Sequence, residues 1–210
     1  MRALAPAGAM LLVRLAGADG AQGLFQALAA SLLVASALVA WTAARPTRRA
    51  VAADAAGLAS IVLVGLLVGA QGAVGLGVLL AGVALLAAGV AALARGVRVP
   101  WAAAGGVGLL AVVAASTGLL WADALADRVS PETRGLTRLE VVDHDPLLAL
   151  AYGTAGHDRL HEREIYGRVP LASSTVKLST PMATGLRLAR IGGAALVLAV
   201  MVLFFRRRRA

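Results

Sequence analysis

The sequence predicts an all-α integral membrane protein: a five-span helical bundle with a small exported segment between spans four and five. Two observations predict this class. Hydrophobic residues make up 60% of the chain and charged residues only 15%, with a mean hydropathy of +0.82. This is more apolar than the composition of a soluble domain. The charged residues also lie in short stretches between long apolar runs, as expected for helices that cross a bilayer.

Residues 1–23 are predicted to be an amphipathic or signal-like lead-in. The apolar run from Ala3 to Val13 is too short to cross a hydrocarbon core of about 30 Å. Ala16-Gly17-Ala18 has the small residues of a signal-peptide cleavage site, but Arg14 interrupts the apolar region just before it. We therefore favour an uncleaved helix at the membrane interface, with a signal peptide as the alternative.

Residues 24–121 are predicted to form a block of four transmembrane helices. Residues 24–44 contain no charge, and residues 55–94 are long enough for two crossings of about 20 residues each. The glycines around Gln71-Gly72 favour a turn between those two helices. Residues 101–121 begin and end with tryptophan, as in the aromatic belts of a membrane protein. Glycines within the spans are interpreted as packing residues that let helices approach closely.

The last span is predicted over residues 186–205, within a final segment of residues 186–210 that ends in a basic tail. Arg187 and Arg190 near its start are expected to snorkel to the outer interface. If five spans alternate, the basic clusters at residues 45–49, 95–98 and 206–209 all fall on one side. By the positive-inside rule that side is cytoplasmic. The prediction is a cell-membrane protein with an extracytoplasmic segment at residues 122–185 and a cytoplasmic C-terminus.

The net charge of +9 does not indicate a nucleic-acid partner. The arginines flank apolar runs, which membrane topology explains, and no basic surface interleaved with aromatic residues is present. The expected partners are the lipid bilayer and a second membrane protein or another copy of the chain. The chain has no cysteine, so disulfides and thiolate ligands are excluded.

The exported segment, residues 122–185, contains nine of the eleven acidic residues and all three histidines. His157 and His161 are four residues apart, so they share one face of a helix. With His144 or a nearby carboxylate they match the ligand types of zinc or another transition metal. The alternative is a solvated helix in which Arg159 and Arg163 pair with neighbouring acids, and no cofactor is then required.

Other chemical motifs are missing from the sequence. Ser173-Ser174-Thr175 lacks the context of a nucleophile elbow, and no phosphate-binding glycine loop precedes a Lys-Ser/Thr pair. Asp143-His144-Asp145-Pro146 is interpreted as a turn. Leu147 to Tyr152 is interpreted as a short helix that packs on the membrane surface or on the bundle. The predicted spans lack ionisable residues in their interiors, which disfavours a self-sufficient pump or ion-coupled carrier.

The end of the chain resembles the end of some ABC-type permease subunits over about 60 residues. The similar features are Asp145-Pro146-Leu147-Leu148-Ala149-Leu150, a polar turn, Tyr166, and a final span with a basic tail. This resemblance includes no diagnostic motif and identifies no family. Five spans are also one fewer than the six common in such subunits. It implies a permease-like subunit that works with a separate ATPase.

Three classes of function fit the sequence. The favoured class is a non-enzymatic membrane subunit of a transporter or another membrane complex. The second is a metal-binding membrane protein that uses His144, His157 and His161. The third is a membrane enzyme with an outer-surface site that includes Asp143, His144 and Asp158.

Overall fold

A computed structural model describes residues 20–67, 73–155 and 179–209 of the chain. Within these ranges the regular secondary structure is helical, and no strand is present. The predicted all-α class is therefore confirmed. In chain order the helices are α1 (Gly20–Ala44), α2 (Arg48–Leu67), α3 (Ala73–Gly96), α4 (Trp101–Ser116), α5 (Gly118–Ala126), α6 (Arg134–Asp143), α7 (Pro146–Ala155) and α8 (Pro181–Arg209).

Three of these helices are long and apolar enough to cross a membrane. Their apolar stretches are Phe25–Ala44 in α1, Val74–Gly96 in α3 and Pro181–Arg206 in α8. Five such helices are expected from the sequence. Among the described residues, α2 and α4 are not in this set. The helix α4 has only 16 residues, and α2 begins with two arginines and carries Asp54. At 1.5 Å per residue α4 is about 24 Å long.

The predicted span at residues 101–121 is interrupted at Thr117. The Thr117 hydroxyl donates to the carbonyl of Val113 at 3.0 Å, within its own chain segment. The indole Nε1 of Trp121 donates to the Ala114 carbonyl at 3.0 Å. These side chains satisfy carbonyl groups that the end of an α-helix leaves open. The helix is therefore interrupted at Thr117, and the Trp121 side chain bonds to the last turn of α4.

The helices α3 and α8 pack along most of their length because glycines face each other. Gly82 meets Gly185, and Gly89 meets Gly192. On both helices the facing glycines are seven residues apart, and they follow the same order from the N-terminal to the C-terminal end. The two helices are therefore parallel and in heptad register. A Cβ atom added to Gly185 would lie 2.6 Å from the Leu79 Cα. Only glycine permits this approach.

The helix α1 packs against α3 and runs in the same direction. Ala44 at the end of α1 lies in one apolar cluster with Ala94 near the end of α3 and Ala104 near the start of α4. Arg206 of α8 donates a hydrogen bond to the Gly96 carbonyl at 2.8 Å. The C-terminal ends of α1, α3 and α8 therefore meet at one end of the bundle. We call it the basic end, because an arginine cluster follows or closes each of these helices.

The opposite end, which we call the polar end, carries α6 and α7. Leu150 of α7 is fully buried and belongs to the main apolar core. A Cβ atom added to Gly153 would lie 2.7 Å from Pro181 at the start of α8 and 3.2 Å from Leu76 near the start of α3. The predicted short helix is confirmed, and of its two predicted locations it takes the one on the bundle.

The last helix begins at Pro181, earlier than the predicted start at Leu186. The Thr180 hydroxyl accepts a hydrogen bond from the Ala183 amide at 3.3 Å, as an N-cap residue does. Proline is favoured at the first helical position because its missing N–H would have no partner there. Pro181 therefore starts this helix.

Candidate functional site

The best-defined polar cluster among the described residues lies where α6 meets the start of α8. Asp143, the last residue of α6, has its Oδ2 atom 2.8 Å from Nη1 of Arg187. Its Oδ1 atom accepts a hydrogen bond from the Ser179 hydroxyl. Thr184 is fully buried and donates to the Asp143 carbonyl at 3.0 Å. We call these four residues the Asp143 cluster, and it ties α6 to α8.

The sequence does not identify this cluster. It predicts that Arg187 snorkels to the interface, whereas the structure pairs the guanidinium with Asp143 and with the Ser179 hydroxyl at 2.7 Å. The physical reason is that a charge on an apolar helix is stabilised by an internal partner of opposite charge. The available signal was an arginine near the start of a span, preceded by an acidic segment. That signal does not single out Asp143, which is 44 residues away.

His144, one of the predicted metal ligands, follows directly after α6. Its Nδ1 atom lies 2.6 Å from the Glu140 carbonyl oxygen. A carbonyl only accepts hydrogen bonds, so this contact assigns a proton to Nδ1, and the lone pair of a neutral ring is then on Nε2. His157 and His161 lie outside the described residues, within which no group of three potential ligands occurs. The metal site therefore stays a prediction.

Asp145 is the N-cap of α7. Its Oδ1 atom accepts hydrogen bonds from the amides of Leu147 at 2.9 Å and Leu148 at 3.2 Å. This bonding stabilises the first turn of a helix, and the side chain is almost fully buried. The prediction of a turn at residues 143–146 is confirmed. Asp143 and Asp145 both make structural bonds, and they belong to two different helix ends.

An apolar cleft of about 430 Å³ lies beside the Asp143 cluster. It is bounded by α3, α4, α5, α6 and α8. Its polar edge is formed by Glu140 and His144, and its mouth by residues that are partly exposed. The lining residues are Leu86, Ala111, Ala114, Ala115, Trp121, Glu140, Val141, His144, Leu188 and Ile191.

Hydroxyl groups inside the long helices bond to their own backbone. Ser31 donates to the Ala27 carbonyl at 2.8 Å and Ser36 to the Leu32 carbonyl at 2.7 Å. Both side chains are buried. These intrahelical bonds are the ordinary arrangement for serine on an apolar helix.

Asp54 is a buried acid that the sequence does not mark as notable. It lies in the second turn of α2 with 8% of its surface exposed. With Thr42 of α1 and Ala88 of α3, it lines a cavity of about 260 Å³. The packing of α2 on its neighbours buries this side chain.

Comparison of the chain with known protein families, curated proteins and solved structures gave no match. The fold therefore defines the class of protein by itself. The residues that the structure describes form helices and no strands, and three of these helices are long and apolar enough to span a membrane.

Proposed function

We propose that the protein is a five-span integral membrane protein of the cell membrane, a non-enzymatic subunit of a permease-like transporter or of another membrane complex. The observation that carries this proposal is the common direction of α1, α3 and α8. Their apolar stretches run side by side and end at one arginine-rich end of the bundle. A bilayer accounts for both features.

The connections between the parallel helices supply the other two crossings. Because α1 and α3 run in the same direction, the chain must return across the bundle between them. The helix α2 has 20 residues, or about 30 Å, which is enough for that return. In the same way, α4 starts at the basic end and the chain must reach the polar end before α8 begins. Together α4 and α5 make that fourth crossing.

The charges support the orientation. Arg45 lies 5.6 Å from the centre of the Trp101 ring, so the loops that follow α1 and α3 are neighbours. The arginine clusters there would face the cytoplasm, and α6 and α7 would face the outside. This agrees with the sequence prediction that residues 122–185 are extracytoplasmic and that the C-terminus is cytoplasmic.

Single cysteines test this topology directly, because the natural chain has none. Cysteine is introduced at Pro46, Val74, Val97 or Gly135, all of which are exposed, and cells are treated with a membrane-impermeant maleimide. We expect labelling of the Val74 and Gly135 positions in intact cells, and of the Pro46 and Val97 positions only after permeabilisation. Labelling of all four positions in intact cells would contradict the proposal.

The subunit role rests on the exposed apolar face of α8. The apolar stretch of α8 is only 22% buried, against 50% for α1 and 56% for α3, so α8 has the largest free face for another helix. Residues 25–44 and residues 74–94 contain no ionisable side chain. Their composition supports a packing role over ion coupling. The exposed large side chains on α8 include Ile191, Val197, Leu198, Val200, Met201, Leu203, Phe204 and Phe205.

Mass spectrometry of the natively expressed protein, purified in mild detergent, tests the subunit role. We expect a second membrane protein at near-equal amount, with or without an ATPase. A variant with Val200→Arg and Phe204→Arg on the exposed face of α8 should lose that partner. Arg134→Gln, which changes an exposed charge on α6, should keep it. A monomer without a stoichiometric partner would refute the role.

Metal binding by His144, His157 and His161 is the second candidate function. The observation in its favour is the hydrogen bond from His144 Nδ1 to the Glu140 carbonyl. Such a bond fixes the tautomer in which Nε2 can bind a metal. Elemental analysis of purified protein for zinc, copper and nickel tests it. Stoichiometric metal that is lost in the His157→Ala variant is expected, and metal below stoichiometry would rule the site out.

A further inference from the structure

We propose that the cleft between α4 and α8 holds one acyl chain of a membrane phospholipid, whose phosphate group binds Arg190. This inference rests on the proposed insertion of the bundle into a bilayer. It assigns a ligand to the cleft described above, which lies in the half of the bundle nearer to the polar end.

The walls of the cleft suit a hydrocarbon chain. Leu86, Leu188 and the small residues of α4 form an apolar surface, and the volume of about 430 Å³ lies within the range of ligand sites. Ala114, Trp121 and Ile191 are exposed, so the mouth opens on the outer surface of the bundle. In a bilayer that surface faces lipid. An empty cleft would forfeit the dispersion contacts of its lining, and an acyl chain restores them.

The cleft also reaches the depth at which a phospholipid becomes polar. Trp121, whose indole donates to the Ala114 carbonyl, lines it at the polar end. Tryptophan is typical of the interface between hydrocarbon and headgroups. Glu140 and His144 form the adjoining edge, with Nδ1 of His144 3.7 Å from Oε1 of Glu140. A chain in the cleft would therefore place its headgroup near the start of α8.

The charges at that position select a phosphate group. Arg187 and Arg190 lie one turn apart on α8, but only Arg187 is bonded to Asp143. Arg190 is exposed, forms no ion pair with the described residues, and is next to Ile191 of the cleft. A guanidinium binds phosphate by paired, charge-assisted hydrogen bonds. The Glu140 carboxylate is the opposing charge at this edge, and its Oε1 atom lies 3.7 Å from Nδ1 of His144.

Native mass spectrometry of the full-length protein in mild detergent tests the proposal. Dioleoyl phosphatidylglycerol is compared with dioleoylglycerol, which has the same chains without the phosphate. We expect a single phosphatidylglycerol adduct. Ala111→Phe, which fills the cleft, and Arg190→Gln should each weaken that adduct about tenfold, as expected for the loss of one charge-assisted hydrogen bond or an equivalent contact area. Matched controls are Ala103→Phe on the exposed face of α4 and Arg134→Gln on α6, which should retain it.

Three outcomes would overturn the inference. Equal adducts in all four variants would mean nonspecific lipid, and equal retention of dioleoylglycerol would remove the role of the phosphate. A photoreactive benzoylphenylalanine at Ala111 that crosslinks to a protein in native membranes would assign the cleft to a partner. If Ala111→Phe fails to fold, Ala114→Phe at the exposed mouth replaces it. Correct cysteine labelling without lipid retention refutes this inference alone, whereas failed labelling refutes the topology itself.

Discussion

Two adjacent glycines on α8 give the sharpest test of the fold, because the structure predicts opposite effects for the same substitution. A Cβ atom added to Gly192 would lie 2.5 Å from the backbone nitrogen of Leu86 on α3. The same atom added to Gly193 has only the Cδ2 atom of Leu85 in reach, at 4.0 Å. Gly192→Ala should therefore destabilise the protein, and Gly193→Ala should not.

The size of the effect follows from these distances. Carbon contacts are favourable at about 3.5–4.0 Å, so Gly192→Ala must push α3 and α8 apart by roughly 1 Å. The obstacle is backbone, which cannot rotate away. Overpacking of this kind costs about 1–3 kcal/mol, and we expect the upper half of that range. Gly193→Ala instead removes the helix penalty of glycine, a gain of up to about 1 kcal/mol.

Thermal unfolding in detergent, followed by circular dichroism, measures the difference. At roughly 2–4 °C per kcal/mol for a chain of this size, Gly192→Ala should lower the melting temperature by about 4–12 °C. Gly193→Ala should leave it unchanged or raise it slightly. Equal melting temperatures for the two variants, or a larger loss for Gly193→Ala, would refute the packing of α3 on α8.

Three further predictions concern the polar end. A double-mutant cycle of Asp143→Ala and Arg187→Ala should give a coupling free energy of about 1–2 kcal/mol. The coupling is limited to this range because the Arg187 side chain is partly exposed to solvent. Unfolding experiments that give no coupling would contradict the ion pair. Asp145→Ala should lower the free energy of unfolding by about 1 kcal/mol through loss of the α7 cap, and Asp145→Asn should restore most of it. Trp121→Phe should cost about 1 kcal/mol because the Ala114 carbonyl loses its donor, and an unchanged melting temperature by circular dichroism would argue against that bond.

The elements that sequence reasoning located best are those with local signals. The first long helix ends at Ala44, as predicted, because Arg45 and Pro46 follow at once. The short helix α7 was expected from the apolar run after the Asp-Pro turn. In each case the residues that begin or end the helix are its immediate neighbours, so one stretch of sequence contains the whole signal.

The features that sequence reasoning did not reach depend on pairing between distant residues. Gly82 and Gly89 are seven residues apart, and so are Gly185 and Gly192. This spacing does not predict which helix each pair of glycines faces. The break at Thr117 was missed for a related reason. Residues 101–121 have the length and composition of a span, and the bonds that end α4 come from side chains that also occur within helices.

The helices α7 and α8, which lie on either side of residues 156–178, are both anchored in the bundle. The chain leaves the described structure after α7, where Gly153 contacts Pro181, and it returns at the start of α8 beside the same residue. Leu150 fixes α7 in the core, and the Asp143 cluster fixes the start of α8. If residues 156–178 bind a metal or a partner, we expect the binding to affect both helices. Facing glycines hold α8 close to α3. We therefore expect a displacement of α8 to move α3 as well.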